Sequence, residues 1–362
     1  VGEIPKQKQR ACLGVDISST QVKLIELDGQ PNAIRVASYA SVYLPPNAVS
    51  DGQITNADTV GKAIARACKL SGTRNRSAAI SVPGSAVISK TLLLPTGLSA
   101  SEAEQQVMLE APQHIPYPME NVRLDYQNQG PDPNSPDHNR ILLVACRRDN
   151  VEIRTAVLDI AKLRPKLIDV DEYALRNACT LLHNQMPGKG HGATIAVFDI
   201  GAQKTHMCIL HNRQTVYSRE IDYGGQVMAE QLIKQHGLDG NEHLSKLLHA
   251  GQLQSDDIDS AMQDFCSELA EQVKSTLQFY FATEAESDHI DHILFTGGCT
   301  HYSGFEKHIR QLLERPAACA NPLRGITASR KARDNHIEDD GPALMIATGL
   351  AMRSIIRRTT RQ

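Results

Sequence analysis

The sequence predicts an α/β fold built from two related halves that face a shared cleft. Two observations predict it. Cys12–Leu27 (CLGVDISSTQVKLIEL) and Thr194–Leu210 (TIAVFDIGAQKTHMCIL) repeat one design about 180 residues apart. Each reads as a buried strand, an Asp at its end, a tight turn of small residues and an exit strand with alternating apolar positions. Each hairpin is also followed by a third extended run and then by helical periodicity, as layered α/β units require. Turns of this kind offer backbone N–H groups and hydroxyls to a phosphate, and the Asp beside each can hold a divalent metal.

A chain of 362 residues is long enough for two domains with large cores. Its net charge of −3 gives no electrostatic reason to expect a nucleic acid partner. The eight cysteines are scattered, without a C-x-x-C pair, and Cys12, Cys68, Cys146, Cys179 and Cys208 lie in apolar runs. Reduced, buried thiols in a cytoplasmic protein are expected. No stretch approaches the ~18 apolar residues of a membrane span. Val1–Arg10 is polar and basic without an apolar run, so no signal peptide is expected there. The end of the chain carries Arg353, Arg357, Arg358 and Arg361 and reads as a solvated basic tail. Without an apolar face its pull toward an anionic membrane would be marginal.

The elements follow in order. Ala33–Tyr39 is the third strand of the first unit, and Asn56–Gly72 a helix with Val60, Ala63, Ile64, Ala67 and Cys68 on one face and Gly72 ending it. Ala78–Val82 and Val87–Leu94 are strands. Ser99 and Glu102 form a capping box for a helix that Pro112 should stop. Leu124–Gln127 and Ile141–Cys146 are strands around a mobile, turn-rich loop, Gly130–Asn139. A helix over Asp149–Lys162, a strand at Lys166–Val170, a helix over Glu172–Gln185 and a Gly188–Gly192 linker lead into the second hairpin. Thr215–Ile221 is its third strand, and Gly224-Gly225 opens a helix to about His236. Asp257–Thr283 is the longest periodic helix, with Phe265, Leu269, Val273, Leu277 and Tyr280 in register. His292–Thr296 is a short strand ending in Gly297-Gly298-Cys299, and Gly304–Leu313 is a helix. Gly341–Ile355, rich in small residues, is a last helix packed between other elements.

Asp16 and Asp199 end the two apolar strands at matching places. A lone Asp there is usually a turn former. Two at equivalent positions point instead to Mg²⁺, which takes one or two carboxylates together with waters and phosphate oxygens. Ser18, Ser19 and Thr20 make the first turn, and Gly201, Ala202, Gln203, Lys204 and Thr205 the second. Neither is a Walker loop. Lys23 either neutralises phosphate or faces solvent. Gly224-Gly225 and Gly297-Gly298 are either bare turns or backbone pressed against a flat purine. Glu271 and Lys274 lie one turn apart and read first as a surface ion pair.

In the order GVDISSTQVKL, DIGAQKT, TGGC and GPALMIATGLAMR, the chain resembles the nucleotide-binding motifs of the superfamily of actin, sugar kinases and heat-shock ATPases. AISVPGSAVISKTLLLP and EQQVMLEAPQHIPYPMENVRLDYQ resemble the inserted subdomain of the cell-division protein FtsA. They are closer still to the PilM family of type IV pilus assembly proteins, a resemblance that spans nearly the whole chain.

The resemblance implies an actin-like (ribonuclease H-like) two-lobed α/β fold with an FtsA-type inserted α+β subdomain. Residues 1–77, 147–190 and 341–362 would form the first core, and 78–146 the insert. Residues 191–222 and 290–340 would form the second core, and 223–289 its helical subdomain. ATP or ADP with Mg is the implied cofactor. Asp16 and Asp199 would attend the metal. Ser18, Ser19, Thr20, Lys23, Gly201 and Thr205 would contact phosphates. Gly224 and Gly225 would border the nucleotide, Glu271 and Lys274 would meet its ribose, and Gly297, Gly298 and Cys299 would lie along the adenosine. The chain departs from many relatives in having Ser18 where they have Gly, so Ser18 must find a compatible φ/ψ. Cys299 also replaces a Gly.

The implied partner is the N-terminal cytoplasmic tail of an inner-membrane PilN, in a groove between the first core and the insert. Pilus motor ATPases and the platform protein would be neighbours. Membrane association would be indirect, and ATP turnover weak or absent, since no residue that orients water is identified. Two rival readings are weighed. A small-molecule kinase of this fold would need a catalytic Asp and a sugar pocket, and neither is evident. An FtsA-like division protein would carry a linker and an amphipathic membrane helix at its C-terminus, and the chain ends soon after the last core helix.

Overall fold

Alternation of apolar residues builds both hairpins. In the computed structural model, which describes residues 12–30, 33–249, 252–253, 255–283, 289–302 and 304–359, strands β1 (Leu13–Ile17) and β2 (Gln21–Gln30) pair antiparallel with Asp16 opposite Lys23. Val1–Arg10 and Arg361 lie outside the described residues, as do the side chains of Arg357 and Arg358. β3 (Ala33–Tyr43) extends the sheet, and a short ribbon, β4 (Val49–Ser50) and β5 (Gln53–Ile54), leads to α1 (Ala57–Ser71). The Asn56 side chain caps α1 by accepting from Thr59 N, and Gly72 ends it at φ 62°. Val60, Ala63, Ile64, Ala67 and Cys68 form its buried face. β6 (Ser77–Val82) then pairs parallel with β1.

The chain divides into two compact units, residues 82–156 and the remainder. The span read from sequence for the insert, 78–146, differs from this at both ends. In the smaller unit β7 (Val87–Pro95), β8 (Val122–Pro131) and β9 (His138–Arg147) form an antiparallel sheet in the order β7-β9-β8, and α2 (Ala100–His114) packs Val107 and Ala111 into its core. The Ser99–Glu102 capping box is formed. Pro112 does not stop α2, which runs two residues further to His114: a proline in the last turn leaves most of the helix's hydrogen bonds intact. The two ends of the expected loop Gly130–Asn139 are strand, with pairing continuing to Pro131 opposite Asn139, and the Asp132 carboxylate closes the tip by accepting from Asn134 and Ser135.

The larger unit resumes along α3 (Arg148–Ile160), which begins in the smaller one, then β10 (Arg164–Val170) and α4 (Asp171–Cys179). The helix expected to reach Gln185 is α-helical only to Cys179 and continues as a tighter 3₁₀ turn, Thr180–Gln185. The second hairpin is β11 (Thr194–Ile200) and β12 (Thr205–His211), extended by β13 (Gln214–Ile221). α5 (Gln226–His236), α6 (Asn241–His249) and α7 (Ser255–Thr283) follow, then β14 (His292–Gly297), α8 (Phe305–Leu313), β15 (Ala317–Cys319) and β16 (Thr327–Ala328). α9 (Arg330–Asp334) and α10 (Ile337–Asp340) precede a 3₁₀ turn at Gly341–Leu344, and α11 (Met345–Thr359) closes the chain. The sequence reading missed α6, α9, α10 and the two short strands β15 and β16, which are too brief to show a period.

The first sheet runs β10-β6-β1-β2-β3-β16 and the second β13-β12-β11-β14-β15. In each, a central strand pairs antiparallel with its hairpin partner and parallel with a strand from further along the chain. β11 is buried along almost its whole length, because the second sheet is covered on both faces. α11 packs on β1 and α4 with no room for a side chain: a Cβ on Gly14 would stand 1.9 Å from Ala347 O, and one on Gly349 would stand 1.8 Å from Ala174 O. Arg353 is no part of a solvated tail, since its Nε lies 2.7 Å from the buried carboxylate of Asp169. All eight cysteines are free, and Cys68, Cys179, Cys208, Cys266 and Cys299 are buried.

Gly349→Ala is therefore expected to destabilise the chain by about 2 kcal/mol or more, through overpacking of the α4–α11 crossing. Urea unfolding should show a lower midpoint at an unchanged slope.

Candidate functional site

Strand pleating decides what the hairpins present. Residues directly opposite on paired strands share a face, and neighbours along a strand alternate. Asp16 and Lys23 are opposite on β1 and β2, and the Lys23 ammonium lies 3.5 Å from Asp16 Oδ2. Their side chains are only 16% and 11% exposed, so Lys23 does not face solvent. On the second sheet one row crosses four strands: Glu220, His206, Asp199 and Thr296. The Thr296 hydroxyl donates to Asp199 Oδ1 at 2.9 Å.

The two faces meet. Burial pushes the Asp199 carboxyl above the ordinary carboxylate range; His206, the Thr296 hydrogen bond and Lys23 pull it back, and Asp16 adds to the push. Lys23 and Asp16 belong to the other sheet, so the two strand-end carboxylates and one lysine share a single electrostatic neighbourhood. Two buried carboxylates, one of them paired with an ammonium, fit a hard divalent cation that would take waters and phosphate oxygens as its other ligands.

The first turn closes on itself. Ser18 N donates to Gln21 O at 2.9 Å, and the Ser18 hydroxyl accepts from Gln21 N at 3.1 Å. Ser18 stands outside the left-handed region, so the chain tolerates it without a glycine. The second turn is held from outside. Gly201 O and Ala202 O accept from Gly225 N and Gln226 N at 2.9 and 2.8 Å, and Lys204 binds Glu220 and Asp222 on the β13 side at 3.1 and 3.3 Å.

The glycine pairs divide in role. A Cβ on Gly224 would meet Ala202 O at 2.4 Å, and one on Gly297, at φ 111°, would meet Ile200 O at 2.1 Å. These two glycines let backbone approach the second hairpin itself. Gly225 and Gly298 have only ordinary neighbours, Cys299 Cβ at 3.6 Å and Ala343 Cβ at 3.9 Å. Their backbones leave room that a flat ligand can use.

Three of the implied nucleotide contacts have partners within the chain. Thr205 is fully buried, and its hydroxyl donates to Tyr223 O at 2.7 Å. It sits on the opposite face of β12 from the carboxylates and supports the turn from behind. Glu271 and Lys274 pair with each other at 3.0 Å, their side chains 70% and 44% exposed. Cys299 is buried, with its thiol pushed well up by burial, so it packs beside Gly225 as a neutral group.

His206 was missed. It lies seven residues after Asp199 (206 − 199), as Lys23 lies seven after Asp16 (23 − 16). Its ring is 15% exposed, with Nδ1 3.8 Å from Glu220 Oε1. The equal offset was visible in the sequence, and with the pleat it identifies His206, in place of Thr205, as the counterpart of Lys23.

A sequence model described as type IV pilus assembly protein PilM matches residues 14–355. The chain belongs to this family. A solved structure titled PilM-PilN type IV pilus biogenesis complex is similar at 22% identity and a TM-score of 0.75, over 95% of this chain and 98% of that one. The ethanolamine utilization protein EutJ from Carboxydothermus hydrogenoformans is similar at 14% identity and a TM-score of 0.55, over 97% and 92%. MreB 5 of Spiroplasma citri bound to AMPPNP aligns at 11% identity and a TM-score of 0.48, over 98% and 99%. The fold is actin-like. Among the described residues no helix is long and apolar enough to cross a membrane, and no group of three or more His, Cys, Asp or Glu gathers as a metal site. Any Mg²⁺ here would therefore take most of its ligands from water and phosphate.

Because burial raises the Asp199 pKa, its ionised form opposes folding above that raised value, and the penalty fades as pH falls through it. Asp199→Asn is expected to raise the thermal midpoint of the ligand-free chain at neutral pH, by a margin that shrinks toward acid. Thr205→Val should lower stability by about 1–2 kcal/mol and leave nucleotide affinity unchanged. Scanning calorimetry and fluorescent-nucleotide titration of both variants check this.

Proposed function

We propose that the chain is an ATP-binding adaptor of type IV pilus assembly. In this reading ATP or ADP with Mg lies between the two hairpins. Asp16 and Asp199 hold the hydrated metal, and Lys23 turns from Asp16 toward phosphate. Ser18 N and Gly201 N close their own turns on Gln21 O and Lys204 O, so the Ser19 N–H and the hydroxyls of Ser19 and Thr20 face the phosphates from the first turn, the N–H groups of Ala202 and Gln203 face them from the second, and the backbones of Gly225 and Gly298 border the base. The metal supplies positive charge where two carboxylates meet phosphate oxygens. The observation that carries the nucleotide part is the shared field of Asp16, Lys23 and Asp199.

The partner in this reading is the N-terminal cytoplasmic tail of an inner-membrane protein of the PilN kind. Family membership and likeness to the solved PilM-PilN complex support it. The unit 82–156 is then the FtsA-type insert. The chain would sit in the cytoplasm, peripheral to the inner membrane through that tail, and link it to the motor ATPases and platform protein. Turnover would be slow or absent, with nucleotide stabilising the closed sheets by mass action.

Asp16→Asn and Lys23→Ala are each expected to weaken Mg-ATP binding by about tenfold or more, the worth of a charged hydrogen bond. Immobilised tail peptides should retain the wild-type chain at micromolar concentration, more with ATP than without. Failure of every tail to bind removes the adaptor reading. Unchanged nucleotide affinity in both variants removes the cleft assignment and leaves the adaptor standing.

A further inference from the structure

β12 and β13 are joined by Asn212-Arg213, with φ of 48° and 69°. A two-residue hairpin loop of this hand accepts Asn first and favours Gly second. Arg213 stands at the second position, where a Cβ is disfavoured. Its side chain is held in place all the same. Nη1 donates to His191 Nε2 at 3.2 Å, and Nη2 donates to His183 Nδ1. Its stem passes Gly190, where a Cβ would stand 3.2 Å from Arg213 Cγ.

For both rings to accept, both must be neutral. Each then carries its proton on the other nitrogen, Nε2 in His183 and Nδ1 in His191. Burial, with Arg213 and His191 adding to it, holds His183 below the ordinary imidazole range, and no carboxylate contributes to that shift. Among the described residues no acid pairs with Arg213, and Lys189, exposed in the same Pro187–Gly190 turn, has no acidic partner either. Arg213, His191 and Lys189 are exposed, so the guanidinium is open to solvent while two neutral acceptors aim it.

We infer that Arg213, with His183, His191 and Lys189, is a recognition point for an oxyanion, a carboxylate or phosphate group carried by a ligand. The free N–H groups of a planar guanidinium match two oxygens of either group, and the outward ring N–H groups are further donors. A solvent-open guanidinium pre-aimed by two neutral acceptors, on a backbone conformation unfavourable to arginine, is the observation the inference rests on. The inference is independent of the nucleotide cleft.

Arg213→Gly in the full chain separates the alternatives, because glycine suits the turn while removing the cation. Two probes distinguish the sources: inorganic phosphate by calorimetric titration, and a fluorescent Glu-rich peptide by anisotropy. At least one should bind the wild type and weaken about tenfold or more in the variant, with the thermal midpoint equal or higher. The probe that responds tells which group the site takes. Two results overturn the inference: neither probe binds the wild type, or Arg213→Gly leaves affinity unchanged. Should the glycine variant fail to fold, Arg213→Met keeps the stem against Gly190 without the charge. Wild-type affinity in that variant overturns the inference equally, and loss of affinity with an unchanged midpoint supports it.

Discussion

The arrangement of this molecule turns on two carboxylates that end two equivalent strands and act on one another electrostatically, with one lysine paired to the first of them. Asp16 has Lys23 directly opposite in register. Asp199 has Thr296 to one side and His206 to the other, and it is buried deeply enough for desolvation to dominate its ionisation. A protein selected for stability alone would place apolar residues here, because burying charge is costly unless it is paired. The surrounding structure keeps the carboxylates in place: α11 lies against β1 at Gly14, and the second turn is fixed by the N-terminus of α5 and by the acids bound to Lys204.

The two hairpins reach that face by different routes. The first closes through Ser18, whose hydroxyl bonds its own turn. The second lacks such a side chain and leans on neighbouring elements, with Gly224 and Gly297 permitting the approach. The repeat therefore lies in strand register and charge placement, while each turn is stabilised in its own way. Both turns close locally, Ser18 N on Gln21 O and Gly201 N on Lys204 O, and the second is held in addition by Gly225 N and Gln226 N.

Much of the fold was legible because it rests on period and punctuation. The boundaries of α1 follow from Asn56, Gly72 and five apolar positions on one face. The hairpins follow from alternation, and the buried positions of α7 from spacing. What failed to show was short or borderline: α6, α9, α10, β15 and β16 give too few residues for a period, and Pro112 is tolerated in a last turn. At the site Asp16, Asp199 and Lys23 were legible, whereas Thr205 was placed on the wrong face because motif matching ignores the pleat.

By itself the sequence determined the repeated acidic hairpins, the layered α/β character, the seven-residue offset that puts His206 opposite Asp199, and the Glu271–Lys274 spacing, since these depend on residues close together along the chain. Tertiary structure alone decided that Asp199 feels Asp16 and Lys23 from the other sheet and that Arg213 is aimed by two histidines. The reason is physical. Charge interaction, burial and hydrogen bonding depend on separation in space, and separation along the chain fixes that only within a hairpin or a few helical turns.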